Sequence, residues 1–323
     1  VIAILIITGV IHWGHLMAVS IFQGALFAFQ MPARQAAIPY LVRKDQITNA
    51  VAIGAAGMAA MSIFAPGLAG LIYGQLGPEA VYLLIVVTSA FAALSTGQIP
   101  KIPPEPETGN ANILQNVGAG IKYVGSNSTL ILLLLSGLTV AILAMPIRTM
   151  MPVIARRLYG TQDVLVSGGT TFVLEPSHIG WLLTMAGVGG LLATMVIANL
   201  KRGQHRGLIL LAGSVAMGLA LSLIGLIPTY IVGLSAMLVV GFAESIRWAL
   251  GMSLILESTS TTYRARVSSI QMMTYGLMPL GALPLGLVVD RFTARPAMLG
   301  VGIIVTIVGF GFLFYARTLR RLP

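Results

Sequence analysis

Glu244 and Arg247 are the residues best placed to do chemistry, because both fall near the middle of an apolar stretch at 230–256. A charge at the centre of a membrane helix costs about 2.5–3.5 kcal/mol on insertion scales, so such residues face a cavity or a partner. Spaced at i,i+3, the two share a helix face and can neutralise each other. One reading makes them a structural pair that steadies a helix interface. The other makes Glu244 a proton acceptor, or a counter-ion for a bound solute, whose protonation frees Arg247. Arg148 lies toward the outer end of the stretch 129–155, one turn before Pro152. There it either snorkels to the membrane interface or binds an anion at the outer mouth. Gln23, midway along 16–33, is either a polar group in a cavity or a partner in an interhelical hydrogen bond.

Several other chemistries find no support in the residues. Cysteine is absent, which removes disulfides, thiolate metal sites and cysteine nucleophiles. His12 and His15 have loose metal-ligand spacing but no carboxylate near them, so no metal site is expected. The run Gly187-Val188-Gly189-Gly190 lacks the GxGxxG spacing and a preceding strand, and it reads as a place for close helix approach. No GxxxxGK[ST] sequence is present, so the chain itself does not hydrolyse a nucleotide. A membrane enzyme would want catalytic groups clustered at one depth, whereas Glu244 is the one acid placed mid-membrane. No catalytic residue and no cofactor are expected.

The elements that must hold these residues are apolar. Of 323 residues 57% are hydrophobic and 9% charged, and the mean hydropathy is +0.92. A soluble domain is about 25% charged, and this chain has too little polar material to coat a globule. Lipid is the remaining solvent for its surface. Apolar stretches fall near 1–11, 16–33, 50–72, 80–99, 129–155, 179–200, 208–227, 230–256, 267–289 and 297–316. The first is too short for the roughly 20 residues that a span needs. Taken alternately, one set of connections holds most of the basic residues, from Arg34, Arg43 and Lys44 to Arg317, Arg320 and Arg321. The other holds Arg156, Arg157, Arg291 and Arg295. The richer side, with the C-terminus, is therefore expected in the cytoplasm. The net charge of +10 is spread over short loops, which favours anionic lipid over nucleic acid as its partner.

Pro100-Lys101-Ile102-Pro103-Pro104-Glu105-Pro106-Glu107 cannot sustain a helix. It opens a linker, 100–128, between a first bundle at 1–99 and a second at 129–323. Residues 112–124 regain apolar spacing and predict a short amphipathic helix. Two loops at corresponding places resemble each other. Met31-Pro32-Ala33-Arg34-Gln35 leads through Asn49 to Pro66, and Tyr263-Arg264-Ala265-Arg266-Val267 leads to Pro284. The separation from Asn49 to Pro66 and from Val267 to Pro284 is 17 positions in each case. Such repeats are common in transporters.

These residues resemble the major facilitator superfamily, and within it the multidrug, macrolide and enterobactin exporter branch. Pro32-Ala33-Arg34-Gln35 is similar to the loop after that branch's fourth helix. Gly120-Ile121-Lys122-Tyr123-Val124 is similar to the end of its linker. Arg264-Ala265-Arg266-Val267 stands where the branch has Arg-Gly-Arg-Val, and Tyr275-Gly276-Leu277-Met278-Pro279-Leu280-Gly281-Ala282-Leu283-Pro284 looks like its eleventh helix. The resemblance implies an all-α membrane protein of two bundles, with about ten of twelve transmembrane helices present. The opening Val1-Ile2-Ala3-Ile4-Leu5-Ile6 has no Met and no basic flank, as expected of an N-terminally truncated chain that begins inside a helix.

The resemblance further implies secondary active, proton-coupled efflux of an amphipathic small molecule, an antiporter of the plasma (inner) membrane acting as a monomer. Uptake of a small metabolite is the alternative within the fold, and a non-transporting membrane sensor or assembly partner is the alternative outside it. Arg34, Arg264 and Arg266 are implied to lock a cytoplasmic gate, with Glu257 as a partner for one of them. The other reading of these arginines is an orientation signal alone. Met272, Met273 and Met278 are read as core packing rather than an adaptable solute surface.

Overall fold

The computed structural model describes residues 1–43, 46–99, 113–159, 175–199 and 205–320. Several side chains in the helices at 13–41, 47–97, 113–125 and 264–276, including that of Arg34, lie outside this description. All regular structure among the described residues is helical. The chain separates into two compact units, Val1–Thr108 and Gly109–Pro323.

The first unit contains α1 (Ile2–Ile7), α2 (Trp13–Leu41) and α3 (Ile47–Gly97). His12 and His15 serve as a helix cap here. The His12 Nδ1 accepts from the Gly14 N–H at 3.3 Å, and the His15 Nδ1 accepts from the His12 N–H at 3.2 Å. Within α3 the backbone breaks at Gly77, with φ 80° and ψ 175°. Pro78 follows, and a proline pushes the residue before it out of the helical region while itself suiting a first helical turn. Two helices meeting at Gly77 correspond to the apolar stretches expected at 50–72 and 80–99. The most apolar 18-residue window of α3 has no buried residue.

The second unit opens with α4 (Ile113–Gly125), the expected amphipathic helix. The proline-rich opening of the linker lies outside the described residues. Then follow α5 (Ser128–Leu143), α6 (Met145–Tyr159), α7 (Pro176–Ala198), α8 (Arg206–Leu226), α9 (Tyr230–Glu257), α10 (Arg264–Gly276), α11 (Met278–Phe292), α12 (Ala294–Tyr315) and α13 (Arg317–Arg320). Helices α5 and α6 form one bent span, Ser128–Tyr159, and α10 with α11 forms another, Arg266–Phe292. Seven helical runs among the described residues are long and apolar enough to cross a membrane. One is Ala60–Gly97, and the other six cover the six stretches expected after the linker.

Close backbone approach holds this unit together. The largest interfaces are α8 with α12, α7 with α9 and α8 with α9. A Cβ placed on Gly241 of α9 would fall on the backbone carbonyl of Ala186 in α7, and one on Gly189 of α7 would fall on that of Leu238. The bend between α5 and α6 has a similar companion. Pro146 has no N–H to give the Ile142 carbonyl, and Gly281 of α11 approaches that same oxygen so closely that a Cβ could not fit. Large apolar side chains such as Phe64, Phe91, Ile231, Leu287 and Phe314 are more than half exposed. An outside of this kind is made for hydrocarbon rather than water.

Candidate functional site

Glu244 of α9 meets Arg148 of α6, with the Arg148 Nη1 3.3 Å from Oε2 and 3.5 Å from Oε1. The pair joins two spans that are far apart in sequence. The side chains are 42% exposed for Arg148 and 20% for Glu244. This corrects two expectations. Arg148 neither snorkels nor stands as a lone anion-binding group, because its guanidinium is turned toward a carboxylate. Glu244 and Arg247 are not simply a self-neutralising couple, because their hydrogen bonds run to different partners. Arg247 is 8% exposed. Its Nη1 donates to the Leu210 carbonyl at 3.3 Å and to the Ser214 hydroxyl, and its Nη2 donates to the Ser136 carbonyl at 2.8 Å. Arg247 thus ties α9 to α8 and α5, while the Arg148–Glu244 pair faces a more open region.

Both Glu244 and Arg247 line a small cavity of about 40 Å³ between α5, α9 and α10. Ser136, Trp248, Gln271 and Thr274 complete its polar and aromatic lining, and Leu133, Leu134, Val140 and Ile255 are among its apolar walls. Gln271 and Thr274 were not singled out by the sequence. The i,i+3 spacing of two uncharged polar residues in an apolar helix is the signal that would have found them. Met272 and Met273, beside Gln271, are exposed rather than packed in a core.

At the Glu257 end of α9 the charges are arranged differently from the expected gate. Glu257 is held by Arg206 at the start of α8, through Nη1 to Oε1 at 3.0 Å and Nη2 to Oε2 at 2.5 Å. Ser253 also donates to Oε1, at 3.1 Å. A bidentate pair of this kind fixes geometry as well as charge. Arg206 is one of the basic residues of the richer set of connections and was not singled out in the sequence. It therefore replaces Arg264 and Arg266 as the partner found for Glu257. Arg264 instead donates from Nε to the Leu256 carbonyl at 3.2 Å, closing the end of α9. Arg266 lies 5.3 Å above the ring of Tyr263, which stacks on Tyr123 of α4 at 4.3 Å with 6° between the planes. The Ser260 N–H donates to the Tyr123 hydroxyl at 3.1 Å. Hydrogen bonds from the Ser260 side chain and backbone hold the Tyr123 phenol below its ordinary pKa. At the far end, Arg157 of α6 meets Asp290 of α11 at 2.7 Å.

Gln23 is exposed on α2 and makes no hydrogen bond among the described residues, so the expected interhelical bond is not found there. The side chain of Arg34 is outside the description. No group of three or more metal-ligating side chains occurs among the described residues.

Long apolar helices with greasy exteriors, whose inward charges are held by hydrogen bonds, define an α-helical multi-pass membrane protein. Residues 1–280 match the model of the Major Facilitator Superfamily, and the chain belongs to that superfamily. It is 25% identical over 271 residues to Macrolide efflux protein A of Streptococcus pyogenes, covering 83% of this chain and 63% of that relative. To Macrolide efflux protein A of Enterococcus faecalis it is 25% identical over 264 residues, covering 80% and 76%. To Enterobactin exporter EntS of Escherichia coli O1:K1 / APEC it is 23% identical over 252 residues, covering 77% and 56%. The chain thus spans less than two thirds of the length of the first and last of these. These relatives point to a transporter rather than an enzyme.

Proposed function

We propose that this protein is a secondary active exporter of amphipathic small molecules, drug-like or siderophore-like, driven by proton entry through alternating access. The observation that carries the reading is the Arg148–Glu244 pair, which bridges the spans Ser128–Tyr159 and Tyr230–Glu257 beside a cavity. A proton on Glu244 removes the charge that holds Arg148. The bridge between the two spans then weakens, and the balance between two arrangements of the bundle shifts by the difference in Arg148–Glu244 attraction between them. Relatives named for macrolide efflux and enterobactin export support the outward direction and an amphipathic cargo.

The protein lies in the plasma (inner) membrane with the basic-rich loops and C-terminus in the cytoplasm. It works as a monomer, with cargo, protons and lipid as its partners. The test is accumulation of labelled erythromycin in cells that make the protein. Expression should lower the accumulated label, and a protonophore should restore it. Unchanged accumulation together with rescued growth on a single nutrient would instead indicate an uptake permease.

A further inference from the structure

We propose that the cavity between α5, α9 and α10 is a subsite that accepts hydrogen bonds, seats a hydroxyl- or amine-bearing arm of the cargo, and has Gln271 as its specificity-determining residue. The proposal rests on the export reading above and adds the chemical class of the cargo.

Gln271 is 7% exposed, and its buried Oε1 accepts no hydrogen bond. An amide oxygen left this way carries a desolvation cost that a donor entering the cavity can offset. Thr274, three residues on, donates its hydroxyl hydrogen to the Gln271 carbonyl at 2.6 Å. Ser136 does the same to the Leu133 carbonyl at 2.8 Å. A hydroxyl has one hydrogen, so each of these oxygens offers the cavity only lone pairs. Glu244, when ionised, is likewise an acceptor.

Arg247 directs both terminal nitrogens at the walls, toward the Leu210 and Ser136 carbonyls and the Ser214 hydroxyl, while its buried Nε–H adds one donor to the same lining. Acceptors outnumber that donor in the polar lining, so it complements a group that donates, and a hydroxyl can also accept from Arg247 Nε. Its size sets the scale of the ligand group. At ~10–15 Å³ for each water-sized occupant, the space suits one polar arm rather than a whole amphiphile. Trp248 and the leucines of α5 leave an apolar rim for the rest.

Inside-out vesicles containing the protein provide the test. The probes are labelled erythromycin and the same macrolide with its hydroxyls methylated, two molecules that differ in donors. The wild type should favour the hydroxylated form by about tenfold in kcat/KM, the scale set by an acceptor left unsatisfied. Gln271→Leu should bring the two probes close to equal. Gln271→Glu should keep the preference, because a buried neutral carboxyl retains a carbonyl acceptor. If Gln271→Leu does not reach the membrane, Thr274→Val should narrow the ratio in its place.

A wild-type ratio in both Gln271→Leu and Thr274→Val would overturn the subsite and leave only a buried water on Gln271. A wild type that prefers the methylated form would overturn it too, since the amide would then be presenting its nitrogen. Transport of neither probe by the wild type would contradict the export reading itself, and the subsite would fall with it.

Discussion

Arg247 and Arg148 enter the same bundle with the same charge and meet different surroundings. Arg247 is buried and gives its hydrogen bonds to oxygens of α5 and α8, whereas Arg148 is partly exposed and faces a carboxylate. Removing Arg247 takes three hydrogen bonds from a charged donor out of the bundle, at about 1.5–3 kcal/mol each. Removing Arg148 loses a half-open pair of about 1 kcal/mol or less. Melting of the detergent-purified protein should therefore fall further for Arg247→Ala than for Arg148→Ala, and equal shifts would contradict this division of roles. Glu244 and Arg247 stood out in the sequence because charge is rare in an apolar stretch. Their partners did not, because the i,i+3 rule sees one helix at a time, and Arg148 is 96 positions from Glu244. The same blindness hid the Arg206–Glu257 pair.

The helices themselves were largely legible, since long apolar runs and prolines act locally. The bend at Ala144 and the break at Gly77 sit beside Pro146 and Pro78. What the runs could not reveal is which small residues face a neighbour's backbone. Gly241 shows the consequence. Its Cα packs against the Ala186 carbonyl, so Gly241→Ala should force α7 and α9 apart and cost ~1–3 kcal/mol by overpacking. A wild-type melting temperature for this variant would show that the two helices do not meet so closely. A second element-scale prediction concerns α4. Tyr123 binds it to the start of α10 through the Tyr263 stack and the Ser260 N–H, so Tyr123→Ala should speed amide hydrogen exchange in α4 several-fold and leave exchange in α8 unchanged. Uniform acceleration across the second unit would instead mean that Tyr123 supports the whole bundle.

On the scale of the whole molecule, the low charge content settled the solvent. A chain with 9% charged residues cannot cover seven apolar spans with water-facing surface, and its exposed aromatic and aliphatic side chains agree with lipid around them. Loop motifs added the superfamily, because short runs such as Pro32-Ala33-Arg34-Gln35 and Arg264-Ala265-Arg266-Val267 keep their place relative to the spans. Cargo was not legible at this scale, since composition and the number of spans do not bear on it. Coupling to protons is the claim on which the account turns, and it localises to a single carboxyl group. The direct measurement is proton movement in proteoliposomes, followed with a pH-sensitive dye as erythromycin is added, for the wild type and for Glu244→Gln. A cargo-dependent proton flux is expected in the wild type and none in Glu244→Gln at equal protein content. A flux of wild-type size in Glu244→Gln would contradict coupling through that carboxyl group.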